Sequence, residues 1–324
     1  MAHVVRVHEY GGPEVMRWEQ EDLPPPGPGE ARVRHTAVGL NFIDVYERTG
    51  LYPGALPTRL GHEAAGVVAA VGKGARGVKV GDRVAYAVNT RGAYADEANV
   101  TAERLVPVPD GVSDRLAAAA LLKGLTAQVL LRRTFRVAKG NVVVVTAAAG
   151  GVGSILVQWA RHLGAHVIGV VGSEGKVPVV RALGCNDVLV TGRDDVAARV
   201  RESSGGAGAH VVYDSVGQDT FFASLDSLRP LGLMVTYGNS SGPVPAIAPL
   251  ELARRGSLFL TRPTLFSYIA RRADLLRSAQ ELFDVIGRGI VRIEIGQTYA
   301  LHDAQQAHRD LQERRTVGST VLLP

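Results

Sequence analysis

The segment NVVVVTAAAGGVGSILVQWAR, residues 141–161, contains the change of pattern that decides the fold. Its run of β-branched residues, Val142 to Val145, is too short for a helix and is typical of a strand buried on both faces. A stretch of mostly small residues, Ala147 to Gly153, follows the strand. From Ser154 onward, apolar residues recur at three- and four-residue spacing, as on one face of a helix. The segment therefore predicts a strand, a tight turn and a helix in succession.

This turn has the composition of an anion site. Small side chains let a pyrophosphate approach the backbone, and the N–H groups and dipole of a helix N-terminus favour negative charge. Against the dinucleotide-binding fingerprint, Ala148, Gly150 and Gly153 occupy the three glycine positions, with alanine in the first. A turn without a ligand is the alternative, because glycine-rich strand-to-helix turns occur in many α/β proteins.

The chain after the turn alternates between strand and helix patterns, which favours the anion site over the bare turn. Six strands separated by helices predict a doubly wound parallel sheet in an α/β fold. The predicted strands are 142–145, 166–171, 187–190, 209–213, 233–237 and 257–261.

The first part of the chain, to about Ala120, has many short strand patterns with glycine at the bends, which indicates a closed or partly closed barrel. Ser113 can cap a helix that leads toward the central strand. After the sixth strand the alternation stops, and we expect the late elements to return to the first domain. These elements are a helix at 268–287, a strand at 291–295, a helix at 303–313 and a strand at 320–323.

Length and composition limit the class of protein. The 324 residues are enough for two domains, and a net charge of +5 does not by itself indicate nucleic-acid binding. Cys185 is the single cysteine, so an intramolecular disulfide is excluded and any metal site would use histidine and carboxylates. No stretch resembles a signal peptide or a membrane span, so we expect a soluble, cytoplasmic protein.

The end of the second predicted strand bears on the choice of nucleotide. NAD sites usually place an acid there, about 20 residues past the glycines. Here Gly172 leaves space, Ser173 can donate a hydrogen bond, and Lys176 can reach a 2′-phosphate. These residues favour NADPH; the competing interpretation makes Glu174 the ribose-binding acid and the cofactor NADH.

Several longer motifs carry a resemblance over essentially the whole chain. They are NFIDVYERTGLYP (41–53), LGHEAAGVV (60–68), KVGDRVAY (79–86), LLKGLTA (121–127), YDSVG (213–217), VTYGNSSG (235–242) and the final GSTVLLP. With the glycine turn, they make the chain resemble the zinc-free, ζ-crystallin-like quinone oxidoreductases of the medium-chain dehydrogenase/reductase superfamily. The resemblance implies a GroES-like β-barrel catalytic domain from residues 1–122 and 264–324. It also implies a Rossmann NADPH-binding domain with a six-stranded parallel sheet at 123–263, and an active cleft between the two.

The resemblance also assigns residues to the site. It implies that Asn41, Tyr46 and Tyr52 line the catalytic cleft and that Lys123 and Thr126 lie near the nicotinamide half. The other implied cofactor contacts are Ala148, Gly151 and Val152 at the pyrophosphate, Gly172, Ser173 and Lys176 at the adenosine phosphate, and Tyr237, Gly238 and Ser240 along the cofactor. Near Thr191 and Gly192, relatives carry a Tyr or Arg that holds the 2′-phosphate, and this chain has neither. Arg193, one position later, is the candidate substitute, so we expect a weaker preference for NADPH than in the family.

We predict no metal site. The chain keeps Gly61-His62-Glu63, which zinc-dependent relatives use, but it lacks their cysteines. His62 and Glu63, even with Asp44, do not make an ordinary tetrahedral zinc site. We therefore interpret His62 as a buried, hydrogen-bonded histidine.

The sequence thus predicts an NADPH-dependent reductase of small-molecule quinones, with reduction of an activated double bond in enones or alkenals as the alternative. A third hypothesis is a non-catalytic NADPH-binding protein that acts through RNA, because six arginines lie between Arg254 and Arg277. For these arginines we favour a solvated helix face over nucleic-acid binding. The resemblance further implies a homodimer formed through the edge strands of the Rossmann sheets.

Overall fold

The computed structural model describes residues 1–324 and divides into two units. The first unit comprises Met1–Leu125, Ile269–Gly287 and Ile293–Pro324, and the second comprises Thr126–Tyr268 and Arg288–Arg292. Both ends of the chain therefore belong to the same unit.

We number the strands and α-helices in chain order. The strands are β1 (Ala2–Val7), β2 (Met16–Glu21), β3 (Glu30–Leu40), β4 (Thr58–Arg59), β5 (Glu63–Val71), β6 (Arg83–Ala87), β7 (Glu97–Thr101), β8 (Val106–Pro107), β9 (Val142–Val145), β10 (His166–Val171), β11 (Asp187–Val190), β12 (Ala209–Asp214), β13 (Leu228–Thr236), β14 (Phe259–Thr261), β15 (Ile295–Ala300) and β16 (Ser319–Leu323). The helices are α1 (Phe42–Arg48), α2 (Asp114–Val129), α3 (Gly151–His162), α4 (Val177–Ala182), α5 (Val196–Ser203), α6 (Phe221–Asp226), α7 (Leu250–Arg254), α8 (Leu265–Tyr268), α9 (Arg272–Gly287) and α10 (Ala304–Gln312).

The first unit is built mainly from two sheets. One has the order β2-β1-β4, and the other has the order β15-β16-β3-β5-β6-β8, with β7 also paired to β3. The C-terminal strand β16 pairs antiparallel with β3, so the end of the chain completes the larger sheet as predicted. A buried apolar cluster that includes Val33, Leu60 and Leu322 joins residues from both ends of the sequence.

The second unit contains one sheet of six parallel strands in the order β11-β10-β9-β12-β13-β14. Strand β9, formed by the valine run, is the third strand in this order and pairs on both sides with parallel partners. The side chains of Val143, Val144 and Val145 are all buried, and because successive side chains point to opposite faces of a strand, both faces of β9 are covered. All six predicted strands are confirmed, with shifts of a few residues at their ends.

Helix α2 begins where the sequence predicts it. The Ser113 hydroxyl accepts a hydrogen bond from the Leu116 N–H at 3.2 Å, which caps the first turn. In α5 the cap is Asp195, whose carboxylate accepts from the Ala198 N–H at 3.0 Å, and the helix begins at Val196.

Two of the late elements differ from the prediction. The strand predicted at 291–295 is wrong in position, because β15 spans Ile295–Ala300 and pairs with β16. The helix predicted at 268–287 is interrupted, and α9 begins only at Arg272. The carbonyl oxygens of Ile269 and Ala270 accept hydrogen bonds from the Arg104 guanidinium at 2.7 and 2.5 Å, so they are engaged by a side chain from far along the chain.

Candidate functional site

The glycine turn leaves β9 at Thr146 and enters helix α3. Ala147 has a φ of 47°, in the left-handed region, so the chain reverses direction sharply. The Gly150 N–H donates to the Ala147 carbonyl over 2.8 Å, and Ala148 is completely buried beneath the turn. A Cβ atom at position 153 would lie 2.3 Å from the Ala147 carbonyl oxygen, so only glycine fits at Gly153 without a shift of the backbone.

The start of α3 offers backbone donors to an anion. Gly150 precedes the helix in an extended conformation, no side chain caps the helix, and its first turn holds no acidic residue. The amides of Gly151, Val152 and Gly153 lie in this first turn, where the helix itself supplies no carbonyl acceptor. Their N–H groups and the helix dipole suit a pyrophosphate, so the predicted residues fit the predicted ligand.

The predicted 2′-phosphate segment lies at the end of the neighbouring strand β10. Gly172 and Ser173 follow Val171 directly, and Lys176 closes a short 3₁₀ turn that begins at Glu174. Since β9 and β10 are adjacent and parallel, their carboxyl ends lie at the same edge of the sheet. The turn after β9 and the segment after β10 therefore occupy neighbouring positions at one edge.

Arg193 lies close to the second of these segments but is already engaged by acids. Its guanidinium hydrogen-bonds to the Glu174 carboxylate and to both carboxylate oxygens of Asp194, the latter at 2.9 and 2.6 Å. The hydrogen bonds from Arg193 lower the pKa of Asp194 to about 2. A 2′-phosphate would have to compete with two carboxylates for this side chain.

A buried carboxylate organises the carboxyl ends of β9 and β12. Asp214 is fully buried at the last position of β12. It accepts hydrogen bonds from the hydroxyls of Thr146, Thr220 and Ser224 at 3.2, 2.7 and 2.7 Å. It also accepts from the N–H groups of Val216 and Gly217 at 2.8 and 3.1 Å. No sequence pattern assigns a role to Asp214, although the YDSVG motif contains it.

The predicted cofactor residues after β13 also lie at the carboxyl ends of the strands. The Tyr237 N–H donates to the Asp214 carbonyl at 2.7 Å, and the Ser240 N–H donates to the Ser215 carbonyl at 3.2 Å. The Arg262 guanidinium donates to the Gly238 carbonyl at 3.2 Å. The structure thus brings three predicted segments together at the carboxyl ends of β10, β9 and β13, with β12 between the last two.

The first unit holds the residues predicted to face the acceptor. Asn41 immediately precedes helix α1, and its backbone N–H donates to the Asp44 carboxylate at 2.8 Å. Tyr46 lies one turn further along α1, with its ring centroid 5.2 Å from that of Tyr52 in an edge-to-face arrangement. The Tyr52 N–H donates to the Tyr46 carbonyl at 3.0 Å, so the two predicted tyrosines are held against each other.

A second buried carboxylate connects Asn41 to helix α2. Glu63 is fully buried and accepts from the Asn41 side-chain amide at 2.9 Å and from the Lys123 ammonium at 3.4 Å. Lys123 is almost completely buried, and Thr126 lies three residues later in α2, half-buried. In the sequence Glu63 is recognisable only as a possible zinc ligand, because its contacts with residues distant in sequence depend on strand register.

His62 is a buried, hydrogen-bonded histidine, as interpreted from the sequence. Its Nδ1 lies 2.8 Å from the Val88 carbonyl oxygen and its Nε2 lies 2.9 Å from the Glu47 carboxylate. Burial lowers the pKa of His62, but the hydrogen bond with Glu47 and the nearby charge of Asp44 outweigh burial and raise it above 6.5. No group of three or more His, Cys, Asp or Glu side chains is arranged to hold a metal ion.

Buried ionisable groups of the first unit predict how stability depends on pH. Burial lowers the pKa of His35 to about 4 and of His308 to about 3, and it raises the pKa of Asp44 to about 7. Between about pH 4 and 6.5 the unfolded chain binds two protons at these histidines, and the folded chain binds one at Asp44. The unfolded state therefore holds one proton more, and stability rises by about 1.4 kcal/mol per pH unit. Above about pH 6.5 the folded state holds more protons at Asp44 and His62, so stability falls.

We expect the free energy of unfolding, from urea titrations followed by circular dichroism, to increase between pH 4.5 and 6.5 by about 1.4 kcal/mol per pH unit. In His35→Gln the unfolded chain binds one proton fewer, so the folded and unfolded chains bind equal numbers. The free energy of unfolding should then be nearly independent of pH in this range. His162→Gln, at an exposed histidine, serves as the matched control and should keep the wild-type slope. An unchanged slope in His35→Gln would contradict this assignment.

The arginines between Arg254 and Arg277 do not form a free basic face. Arg254 and Arg255 pair with Glu251, and Arg271 and Arg277 pair with Asp274. The two remaining members, Arg262 and Arg272, donate to backbone carbonyls. This pairing reduces the positive field that RNA binding would need. Separately, none of the helices combines the length and the apolar character needed to cross a membrane.

Comparison with known proteins agrees with this architecture. The family model described as "Alcohol dehydrogenase GroES-like domain" matches residues 27–110, and "Zinc-binding dehydrogenase" matches residues 151–284. A quinone oxidoreductase from Pseudomonas aeruginosa is 49% identical over 100% of both chains. A 2-haloacrylate reductase from a Burkholderia species is 44% identical over 98% of both chains.

A solved structure shows the same agreement in three dimensions. The crystal structure of Escherichia coli quinone oxidoreductase complexed with NADPH has a TM-score of 0.98 and 43% identity, and it covers 99% of this chain and 100% of that one. The cofactor in that complex is the one predicted from the sequence. The predicted fold class, family and oxidoreductase class are confirmed: the chain belongs to the quinone oxidoreductase family of the medium-chain dehydrogenase/reductase superfamily.

Proposed function

We propose that this protein reduces quinones with NADPH and without a metal. The observation that carries the proposal is the uncapped start of α3 at the carboxyl edge of the six-stranded sheet. Full-length similarity to quinone oxidoreductases, one of them solved with NADPH, supports the choice of cofactor and substrate class.

The second unit would hold the adenosine and pyrophosphate parts of the cofactor. The turn residues would surround the pyrophosphate, and the segment after β10 would bind the 2′-phosphate through a hydroxyl and an ammonium. Tyr237, Gly238 and Ser240 would flank the cofactor further along the edge. The assigned turn residues are Ala148, Gly150, Gly151, Val152 and Gly153, and the phosphate residues are Gly172, Ser173 and Lys176.

Asn41, Lys123 and Thr126 would contact the nicotinamide half. The bound cofactor supplies a hydride from its nicotinamide ring. The protein's part is to position the acceptor, exclude water and stabilise the negative charge that develops on the acceptor's carbonyl oxygen.

Tyr46 and Tyr52 would form the acceptor pocket. Their edge-to-face rings present an aromatic wall on which a quinone ring can stack, and Asn41 and the two tyrosines are the hydrogen-bond donors that we assign to this pocket. A donor at the carbonyl oxygen that becomes the hydroquinone hydroxyl would favour reduction of quinones.

The proposal is tested by following NADPH absorbance with a panel of benzoquinones, naphthoquinones and enones. We expect turnover with quinones and slower turnover with NADH. Bound NADPH that no quinone oxidises would reject the proposal. Oxidation by enones alone would favour double-bond reduction, and oxidation by no member of the panel would leave a non-catalytic cofactor-binding protein.

Reduction of an activated carbon–carbon double bond is the second candidate. It is favoured by the 44% identity to a 2-haloacrylate reductase. The two reactions differ in where the hydride ends. With cofactor deuterated at the transferred position, a double-bond reductase leaves deuterium on carbon in the product. In a hydroquinone the transferred atom ends on oxygen and exchanges with water.

Removal of metal ions should not affect the reaction. Because both ring nitrogens of His62 are engaged within the protein, we expect dialysis against EDTA to change quinone turnover by less than about twofold, whereas loss of a catalytic metal costs several kcal/mol. Elemental analysis of the dialysed protein provides the control. A loss of activity that zinc restores would contradict the metal-free proposal.

A homodimer is proposed through strand β14, at the edge of the six-stranded sheet. Phe259 and Leu260 on this strand are 59% and 37% exposed, and such an apolar edge favours pairing with a second copy. Light scattering should give twice the chain mass of 34.3 kDa, and Phe259→Lys should give a monomer. Val80→Lys, at a residue 61% exposed in the first unit, should remain dimeric. A monomeric wild-type protein would contradict the proposal.

A further inference from the structure

The Glu63 carboxylate lies in the core of the first unit and accepts hydrogen bonds from other elements of that unit. It lies at the first residue of β5 and is fully buried. Its Oε1 accepts from the Leu122 N–H at 2.5 Å. Its Oε2 accepts from the Asn41 Nδ2 at 2.9 Å and from the Lys123 Nζ at 3.4 Å. All these donors lie outside β5, so the carboxylate joins the start of α1 to the middle of α2.

The opposite strand is shaped to accommodate this carboxylate. Gly39 in β3 is the cross-strand partner of Glu63. A Cβ atom at position 39 would lie 2.3 Å from Glu63 Oε2 and also 2.3 Å from the Ala118 carbonyl oxygen. The absence of a side chain at Gly39 therefore leaves the space in which the carboxylate meets α2.

The contacts define the orientation of two side chains. An ionised carboxylate only accepts hydrogen bonds, so the amide of Asn41 must present its Nδ2 to Glu63, and its oxygen is directed elsewhere. The Lys123 ammonium is itself buried, and a buried charge requires a nearby counterion. Glu63 supplies that counterion and holds the ammonium on one side of α2.

We propose that Glu63 is a positioning residue that orients Asn41 and Lys123 toward the nicotinamide half of the cofactor. This inference rests on the proposed function, which places those two side chains at the nicotinamide. Glu63 itself contacts neither cofactor nor substrate. It orients the side-chain amide of Asn41 and the ammonium group of Lys123.

The test compares two probes that differ in the nicotinamide half: NADPH, and adenosine 2′,5′-bisphosphate, which lacks it. In Glu63→Gln the new amide can donate to the Asn41 oxygen, so the Asn41 amide can turn over, and Lys123 loses its counterion. We expect calorimetry to show NADPH binding weakened about tenfold and binding of the bisphosphate changed less than about twofold. Glu97→Gln, at a half-buried strand carboxylate paired with Arg32, is the matched control and should leave both affinities unchanged.

Glu63→Asp provides a second variant that keeps the charge but withdraws the carboxylate. It should weaken NADPH binding by about threefold, again without effect on the bisphosphate. The inference would be overturned if both variants bound both probes like the wild type, or if both probes lost affinity equally, as expected for a general structural role. A wild-type protein that binds neither probe would overturn the proposed cofactor itself, so the two failures are distinguishable.

Discussion

Gly153→Ala should weaken NADPH binding about thirtyfold, or about 2 kcal/mol. The added Cβ would lie 2.3 Å from the Ala147 carbonyl oxygen and 2.9 Å from the Ala148 Cα, and both are backbone atoms that cannot move aside cheaply. Relief of this contact requires α3 to move away from β9, which displaces the amides of the first helical turn. The expected loss is in cofactor affinity, measured by quenching of protein fluorescence.

A matched glycine variant separates this local effect from a general effect of alanine. At Gly111 a new Cβ meets no atom within 4 Å and φ is not in the left-handed region. Gly111→Ala should therefore bind NADPH like the wild type. Normal affinity in Gly153→Ala would show that the turn does not hold the pyrophosphate.

Lys176→Ala should raise the KM for NADPH about thirtyfold and change the KM for NADH by less than about twofold. A charge-assisted hydrogen bond to a phosphate contributes about 2 kcal/mol, and only NADPH carries the 2′-phosphate. Lys139→Ala, which removes an exposed lysine of the same unit, is the control and should affect neither cofactor. Equal losses for both cofactors would mean that Lys176 acts on the fold or on another part of the cofactor.

Breaking the Glu174–Arg193 ion pair should lower the KM for NADPH, whereas loss of Lys176 should raise it. Because Arg193 is held by two acids, Glu174→Gln should make it more available to the 2′-phosphate and lower the KM for NADPH by about threefold. In the double variant Glu174→Gln/Arg193→Ala this gain should disappear. A gain that persists without Arg193 would show that Glu174 acts by charge repulsion alone.

The strands of the second unit could be predicted because their signal is local. Runs such as Val142 to Val145 and His166 to Val171 are rich in β-branched residues and end at glycine or small residues. Each strand of a parallel sheet is buried on both faces, so its apolar run is continuous and easy to recognise. The glycine turn was equally visible, because a strand and a helix can be joined this tightly only by small side chains.

The bounds of the late elements were harder to predict because these elements contact residues that are distant in sequence. Strand β15, Ile295–Ala300, mixes polar and apolar residues, and a register shift interrupts its pairing with β16. At the interruption before α9, the carbonyl oxygens of Ile269 and Ala270 accept hydrogen bonds from Arg104, which lies more than 160 residues earlier in the chain. No local sequence pattern near residue 269 indicates the hydrogen bonds with Arg104.

The contacts between polar side chains of the site also could not be predicted from local sequence patterns. Asn41, Tyr46 and Tyr52 were identified through family motifs, and their side-chain contacts became apparent only in the structure. Glu63 meets Asn41 because β3 and β5 pair with Gly39 opposite Glu63, and that register is not visible in the sequence. Asp214 likewise gathers donors from three separate segments at the edge of the sheet.

Anaerobic stopped-flow measurement of one turnover tests whether NADPH bound to this protein reduces a quinone. Protein saturated with NADPH is mixed with a benzoquinone in slight excess, and NADPH loss and hydroquinone formation are followed together. We expect both to proceed at the same rate, with one hydroquinone formed for each NADPH oxidised. NADPH that remains bound and unoxidised with every quinone of the panel would contradict it.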